Sequence, residues 1–242
     1  IVMIDILDRE QIHRALDGVT EIIHCAYGNE EVTVEGTKNL LDTAMKHGVR
    51  RFVHLSTTEV YGMAQGIVDE NSPIEYTGNN YNRIKIDAEK ACWDYSMKNL
   101  PITIIRPSIV YGPFSRNWIM KYASMFRDSQ GGIYENYGDG KCNLVYVDDL
   151  VWAILTALNN DNAVGEAFNV TGPEVMTWNE YFSLFNDMMG LPPLKIIRSD
   201  QARFKALIME PARKLGRYVK EHLLGPVKLV AGYIELADKL MR

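Results

Sequence analysis

A tyrosine and a lysine four residues apart, Tyr81 and Lys85, stand in the segment YNRIK. If this segment is helical, the two side chains share one face of the helix. A phenol is a poor base at neutral pH, because its reference pKa is about 10, and a nearby ammonium favours its ionised form. The pair could therefore exchange a proton with a substrate hydroxyl while a nicotinamide takes or gives a hydride.

A helix pair without a chemical role is the alternative interpretation, because the sequence has 13 tyrosines and the same spacing occurs a second time. That second match, Tyr137 and Lys141, has two glycines between its members, which disfavour a continuous helix. We therefore take Tyr81 and Lys85 as the candidate pair.

Thr57 lies at the end of the apolar run RFVHLS, which predicts a strand. Ligands of open α/β sheets bind beyond the carboxyl ends of the strands, so a hydroxyl there could hold a reacting oxygen against Tyr81. Glu59 follows two residues later, and in an extended chain it would point the same way as Thr57. We regard Glu59 as a candidate second acid or base, with a solvated loop carboxylate as the alternative.

The elements that must position these residues alternate between strand and helix, an order that predicts a parallel sheet with helices on both faces. Strands are predicted at IVMIDI, EIIHCA, RFVHLS and ITIIRPSIV, and helices over residues 9–16, 34–47 and 81–99. Further on, the run TWNE predicts a helix that opens with a capping box of Thr177 and Glu180. We divide the chain into an α/β domain (1–113), a smaller and mainly substrate-binding region (114–200) and a helical amphipathic tail (201–242).

Composition narrows the classes of partner and compartment. A net charge of -5 gives no electrostatic reason to expect nucleic acid as a partner. Cys25, Cys92 and Cys142 are widely spaced and form no CxxC or His/Cys cluster, so we expect no metal site and a reducing, cytoplasmic setting. No apolar run reaches the roughly 20 residues that span a bilayer, and the N-terminus lacks the basic start of a signal peptide. The tail either packs as terminal helices or makes peripheral membrane contact.

Four blocks in a fixed order, LSTTEVYG, YNRIKIDAEK, IIRPSIVYGP and GDGKCNLVYVDDL, carry a family resemblance. With VTVEGTKNLL and GEAFNVTGPEVMTWNEYF, they resemble the extended short-chain dehydrogenase/reductases, the NAD-dependent epimerase/dehydratase family, over about residues 1–190. The resemblance implies a Rossmann-like, doubly wound parallel sheet with a small C-terminal substrate-binding region. It also implies a dinucleotide cofactor, NAD or NADP, between which the sequence does not decide.

The resemblance implies roles for individual residues. Thr57, Tyr81 and Lys85 match the catalytic triad, and Glu59 matches an acid that serves proton abstraction in the dehydratases and decarboxylases of the family. Positions that would contact the cofactor, besides Tyr81 and Lys85, fall at the ends of the strands and in the loop after EIIHCA: Asp5, Ile6, Cys25, Ala26, Tyr27, Thr33, Leu55, Ser56, Pro107, Ser108, Ile109 and Val110. Asp5 and Ile6 would meet the adenine, and residues 25–27 would line the dinucleotide groove. Leu55, Ser56 and residues 107–110 would approach the nicotinamide end.

The chain departs from the family pattern in three places. No GxGxxG or GxxGxxG turn occurs, and IVMIDILD resembles the third strand of such folds, so we expect the glycine-rich portion to precede this sequence. Thr33 stands where an asparagine is usual in the family. Cys142 stands near the position at which many nucleotide-sugar members carry an arginine that meets the diphosphate.

These patterns together predict an enzyme that transfers a hydride at a secondary alcohol, on a sugar or nucleotide sugar. The alternatives are a reductase or dehydrogenase of a small non-nucleotide alcohol, and a dinucleotide-sensing binding protein without turnover. The resemblance also implies a homodimer formed by the helices at 34–47 and 81–99. On the second of these, apolar residues repeat at helical spacing, namely Ile84, Ala88, Ala91 and Tyr95.

Overall fold

The structure is a computed structural model, and it describes residues 1–136 and 138–200. The predicted tail at 201–242, with its membrane contact, and Tyr137 of the second Tyr/Lys pair lie outside the described residues. Among the helices of the described part, none combines the length and the apolar character that crossing a bilayer requires.

The described residues contain ten strands and six α-helices, besides short 3₁₀ and π-helical segments. The strands are β1 (Glu21–His24), β2 (Arg51–Leu55), β3 (Ile102–Pro107), β4 (Ile109–Tyr111), β5 (Gly132–Tyr134), β6 (Lys141–Cys142), β7 (Leu144–Tyr146), β8 (Ala167–Val170), β9 (Met176–Thr177) and β10 (Lys195–Ile197). The helices are α1 (Arg9–Ala15), α2 (Gly36–Lys46), α3 (Asn80–Ser96), α4 (Lys121–Arg127), α5 (Val147–Leu158) and α6 (Trp178–Met188).

The chain divides into two compact units. The first comprises Ile1–Tyr122 and Lys141–Met176, and the second comprises Ala123–Gly140 and the described residues from Thr177 onward. In the second unit, β10 pairs with β5 in parallel, and α6 opens with the predicted capping box of Thr177 and Glu180. The division into functional regions at 113 and 200 stays a prediction.

The main sheet belongs to the first unit and has the order β1-β2-β3-β8, with every neighbouring pair parallel. Strands β1 to β3 are each followed along the chain by a helix or a longer crossover, which is why adjacent strands run in the same direction. The predicted α/β fold with a parallel sheet is confirmed.

Helices cover both faces of this sheet, because the strand side chains alternate between two apolar clusters. Phe52 of β2 belongs to a cluster that includes Ile12 of α1 and Leu41 of α2. Its neighbour Val53 points the other way, into a cluster with Leu150 of α5. Burial of each such side chain contributes about 1.5–3 kcal/mol, so the sheet is held from both sides.

The first predicted strand, IVMIDI, is wrong. Residues 1–5 adopt no regular structure, and the four residues Ile1 to Ile4 are exposed. The main sheet begins at β1, whose hydrogen-bonded neighbour is β2, so the segment has no strand partner among the described residues. A strand without a neighbour leaves its N–H and C=O groups unpaired and gains nothing from β geometry.

The predicted strand ITIIRPSIV is two strands, β3 and β4, which belong to different sheets. The chain changes partner at Ser108, whose N–H donates to the Val170 carbonyl oxygen at 2.9 Å, whereas the Ile109 N–H donates to Asn143 at 3.0 Å. This change places residues 107–110 at the carboxyl end of the main sheet, where ligands of such folds bind.

The apolar stripe of α3 packs inside the chain. Ile84, Ala88 and Ala91 of α3 are 1%, 0% and 4% exposed, and Tyr95 packs partly against the same core as Ala91. These residues therefore stabilise the subunit itself, because α3 uses them to pack within it. The homodimer stays a prediction, and the apolar residues of α3 do not support it.

Candidate functional site

Thr57 lies two residues after β2 and caps a short 3₁₀ turn, Thr58–Tyr61. Its Oγ1 accepts the Glu59 N–H at 3.2 Å. The expectation of an extended chain from Thr57 to Glu59 is therefore wrong, because the threonine hydroxyl satisfies a backbone donor that an extended chain would leave to solvent. Asn82 fixes the turn on α3 by donating from Nδ2 to the Glu59 carbonyl oxygen at 2.6 Å.

Tyr81 lies in the first turn of α3, where Asn79 caps the helix. The Asn79 Oδ1 accepts the Tyr81 N–H at 3.0 Å, which fixes where the helix starts and so where the phenol lies. Burial is the largest influence on the pKa of Tyr81, and the nearby Thr57 side chain has a smaller, opposite effect. The pKa of Tyr81 is therefore raised, with smaller contributions from Tyr27 and Glu59.

Lys85 lies one turn further along the same face of α3 and is only 5% exposed. Its Nζ donates to the Leu55 carbonyl oxygen at 2.7 Å, at the end of β2. Burial lowers the pKa of Lys85, whereas Glu89, Cys25 and Cys92 oppose that shift. The pKa of Tyr81 is thus raised, whereas the sequence predicted that Lys85 would lower it. The reason is that the phenol is removed from water while the Lys85 ammonium is bound to a backbone oxygen.

Cys25, Ala26 and Tyr27 follow β1 and are exposed at the carboxyl end of the sheet. The Tyr27 ring lies edge-on to that of Tyr81, with centroids 5.3 Å apart and planes at 76°. Lys85 Nζ lies 5.9 Å from the centroid of the Tyr27 ring. The loop after β1 thus reaches the candidate pair on α3.

Two serine hydroxyls near the strand ends are buried without a partner among the described residues: Oγ of Ser56 and Oγ of Ser108. Ser56 also joins the ends of β2 and β3, since its N–H donates to the Ile105 carbonyl oxygen at 2.7 Å. A buried hydroxyl without a partner is rare in proteins, and a polar ligand or a water molecule is the usual explanation. Both residues were predicted to contact the cofactor. Of the other three such positions around Ser108, Ile109 and Val110 are partly exposed and Pro107 is buried.

Three further predicted cofactor positions lie apart from this group. Asp5 is exposed, with its Oδ1 accepting the Leu7 N–H at 2.9 Å, and Ile6 is partly buried against the core. Thr33 is 1% exposed, and its hydroxyl is engaged with Gly28, accepting the N–H at 3.0 Å and donating to the carbonyl oxygen at 3.2 Å. Thr33 therefore shapes the loop after β1 through its own hydrogen bonds.

Sequence reasoning missed a buried ion pair behind the site. Nε and Nη2 of Arg106 on β3 donate to the two carboxylate oxygens of Glu89 on α3 at 3.0 and 2.8 Å. Nη1 of Arg106 donates to the Tyr61 hydroxyl at 2.7 Å. The sequence held one indication of the role of Glu89. It stands four residues after Lys85, as Lys85 does after Tyr81, and so lies on the same face of α3.

Comparison with known proteins agrees with this architecture. The model of the NAD dependent epimerase/dehydratase family matches residues 1–171. The chain is 29% identical over 191 residues to an uncharacterised UDP-glucose epimerase of Bacillus subtilis, covering 72% of this chain and 60% of that protein. It is 30% identical over 205 residues to sterol demethylase protein B of Methylococcus capsulatus, covering 78% of this chain and 60% of that protein.

The crystal structure of DesIV, a dTDP-glucose 4,6-dehydratase from Streptomyces venezuelae solved with NAD bound, superposes with a TM-score of 0.71 at 28% identity. The match covers 81% of this chain and 66% of that one. The predicted Rossmann-like fold is thereby confirmed, although the chain spans only about 60% of the curated relatives named above. With its family model matched over residues 1–171, the chain belongs to the NAD dependent epimerase/dehydratase family.

Proposed function

We propose that this protein uses NAD or NADP to transfer a hydride at a secondary alcohol of a sugar or nucleotide sugar, in an epimerase- or dehydratase-type reaction. One observation carries the proposal. The Tyr81 phenol lies near the Thr57 side chain, whose effect on the pKa of Tyr81 opposes that of burial, and Lys85 lies one turn along α3, bound to the Leu55 carbonyl oxygen at the end of β2. A proton donor, a second hydroxyl and a cation thus meet where α/β sheets bind ligands.

The polar groups around this triad suit a dinucleotide. The hydroxyls of Ser56 and Ser108 are buried without a partner in the described part of the chain, and the exposed residues 25–27 border the same sheet end. Lys85 uses one N–H on Leu55 and has two more, which suit the diol of a ribose. When bound, NAD or NADP supplies the acceptor and donor of the hydride.

The roles of the protein groups follow from their protonation. Because burial raises the pKa of Tyr81, its phenol carries its proton at neutral pH and can donate it to a ketone oxygen. In the reverse direction the phenol must take up a proton as phenolate, a form that the Lys85 cation stabilises. Thr57 holds the reacting oxygen in line with Tyr81 by a hydrogen bond.

Glu59 supports the dehydratase type of reaction. It is exposed in the 3₁₀ turn that Thr57 caps, it contributes to the raised pKa of Tyr81, and its Oε1 accepts from Nδ2 of Asn79 at 3.4 Å. A carboxylate near the phenol, at the mouth of the site, could abstract a carbon-bound proton next to a transient ketone.

A second candidate is a dehydrogenase or reductase of a non-nucleotide alcohol. Cys142 is fully buried at the position near which nucleotide-sugar members of the family carry an arginine, so that position offers no cation to a diphosphate. The similarity to sterol demethylase protein B favours the same candidate. A binding protein without turnover is a third candidate. The presence of all three triad residues argues against it.

One experiment separates the three candidates. Purified full-length protein is incubated with NAD or NADP and with panels of UDP-sugars, dTDP-sugars and hydroxysteroids, and both product and reduced nicotinamide are measured. Turnover of a sugar nucleotide supports the proposal, turnover of steroids alone supports the second candidate, and binding of the cofactor without any turnover supports the third.

Tyr81→Phe tests the role of the phenol in that assay. Loss of the only proton-transferring hydroxyl should lower turnover by about 100-fold or more, with cofactor affinity changed little. Tyr95→Phe, on the same helix, is the matched control and should keep the parent rate. If Tyr81→Phe retains activity within a few-fold of the parent, the assignment of the acid/base is wrong.

A cytoplasmic homodimer remains part of the proposal. The exposed side chains of α2 and α3 are largely charged and include Lys38, Lys46, Lys90 and Asp94. An interface through these helices would therefore be polar and sensitive to salt. Sedimentation of the full-length protein at low and high salt tests this, and a monomer at both would contradict it.

A further inference from the structure

Tyr27 is an exposed aromatic residue that contacts the two central members of the site. More than half of it is accessible to solvent, at 55%. Even so, its ring makes an edge-to-face contact with Tyr81, at 5.3 Å between centroids, and Lys85 Nζ lies 5.9 Å from its centroid. A large apolar ring thus lies between solvent and two polar groups that need access to a ligand.

The backbone that carries this ring is held by local hydrogen bonds. The neighbouring Gly28 exchanges two hydrogen bonds with the buried Thr33 hydroxyl, and the Val32 N–H donates to Asn29 Oδ1 at 2.9 Å. Gly28 also lies so close to Val32 that an added Cβ would be 2.9 Å from its Cγ1. The loop therefore has little freedom to shift, whereas an exposed ring rotates about its side-chain bonds on a nanosecond scale.

Lys85 explains why the ring rests where it does. Its one hydrogen-bond acceptor among the described residues is the Leu55 carbonyl oxygen. The ring of Tyr27 presents its negative π-face towards the remaining ammonium charge, an attraction that is weak at this distance. The edge-to-face contact with Tyr81 adds a second weak attraction. A hydrogen bond from Lys85 to a ligand oxygen is far stronger than these attractions. The ligand oxygen and the Tyr27 ring cannot occupy the same side of the ammonium.

We propose that Tyr27 is a gate over Lys85 and Tyr81, whose ring covers both groups in the ligand-free protein and turns away when the ribose end of a dinucleotide binds. The proposal rests on the dinucleotide chemistry proposed above. Contacts of this kind change an equilibrium by about twofold to tenfold. Removing the ring should therefore tighten binding by that factor, because the ligand no longer has to displace it.

The test compares Tyr27→Ala with Tyr27→Phe, which keeps the ring. In the absence of cofactor, full-length protein is treated briefly with acetic anhydride, and acetylation of Lys85 is measured by mass spectrometry against that of the exposed Lys90. Separately, NADH and NADPH binding is followed by fluorescence at equilibrium and by stopped flow. Folding of both variants is checked by their thermal unfolding midpoints.

We expect Tyr27→Ala to acetylate Lys85 several-fold faster and to bind the dinucleotide twofold to tenfold tighter, with a faster association rate, while Tyr27→Phe behaves as the parent. Weaker binding by Tyr27→Ala would overturn the gate, because it would show that the ring supports the ligand. Unchanged acetylation of Lys85 would overturn it as well. If the parent binds neither NADH nor NADPH, the proposed function fails, and the acetylation rates still decide whether Tyr27 covers Lys85.

Discussion

Glu89→Gln should be among the most destabilising conservative substitutions in this protein. Glu89 and Arg106 form an ion pair whose side chains are only 1% and 3% exposed. Both carboxylate oxygens accept from the guanidinium, which keeps one further strong hydrogen bond, to Tyr61 at 2.7 Å. The amide of glutamine has nearly the same shape, so the substitution removes a charge while leaving the packing almost unchanged.

The magnitude follows from the burial. Without the carboxylate, the Arg106 charge stays inside the protein with the Tyr61 hydroxyl and, at 3.4 Å, the Glu70 carbonyl oxygen. Breaking a buried pair by removing one partner costs about 3–5 kcal/mol. For a protein of this size each kcal/mol lowers the unfolding midpoint by about 2–4 °C, so a fall of at least about 6 °C is expected.

Urea and thermal unfolding of the full-length protein measure this loss, with Glu30→Gln as the matched control. Glu30 also pairs with an arginine in two contacts, Arg83 at 2.7 and 2.5 Å, but these side chains are 56% and 40% exposed. Such a surface pair contributes about 0–1 kcal/mol. If Glu89→Gln costs no more than Glu30→Gln, the reasoning from burial is refuted.

Two further predictions concern the site and the core beneath it. If the reaction is of the dehydratase type, Glu59→Gln should let the cofactor become reduced in a single turnover while final product fails to form; normal product at a near-normal rate would eliminate the role of Glu59. Burial and the nearby Lys85 lower the pKa of His24 from 6.5 to about 4. Because the unfolded chain then binds more protons, stability is complete above about pH 6.5 and falls as the pH drops towards 4. His24 should account for about 2 kcal/mol of that fall between pH 7 and pH 5, and His24→Asn should reduce it in urea unfolding at the two pH values.

The sequence was sufficient for the strands and helices of the main sheet and for the proximity of Thr57, Tyr81 and Lys85. Alternation of apolar runs and helical stretches predicts β2, α3 and β3, because both periodicities are set by burial on a sheet. It was insufficient where a segment depends on a distant partner. IVMIDI has the composition of a strand but no strand partner among the described residues, and the break at Ser108 depends on hydrogen bonds to Val170 and Asn143, far along the chain.

The directions of the side chains at the strand ends could likewise not be predicted from the sequence. The type of Tyr27 and its place after β1 could be read from the sequence, but its contact with Tyr81 depends on the loop that Gly28 and Thr33 fix. The turn at Thr57 was misjudged for a related reason, since a hydroxyl that caps its own backbone competes with extension. Periodicity carries no information on either choice.

One face of α3 joins the proposed chemistry to the stability of the fold. Tyr81, Lys85 and Glu89 follow at intervals of four residues, and each meets a different strand group: the Thr57 side chain, the Leu55 carbonyl oxygen and Arg106 of β3. Burial lowers the pKa of Lys85 and Glu89 opposes that shift, so the ion pair that anchors the helix helps to keep the cation of the proposed site charged. A change at Glu89 should therefore shift the pH dependence of turnover as well as the free energy of unfolding, whereas a core substitution of equal cost elsewhere on α3 should alter only the latter.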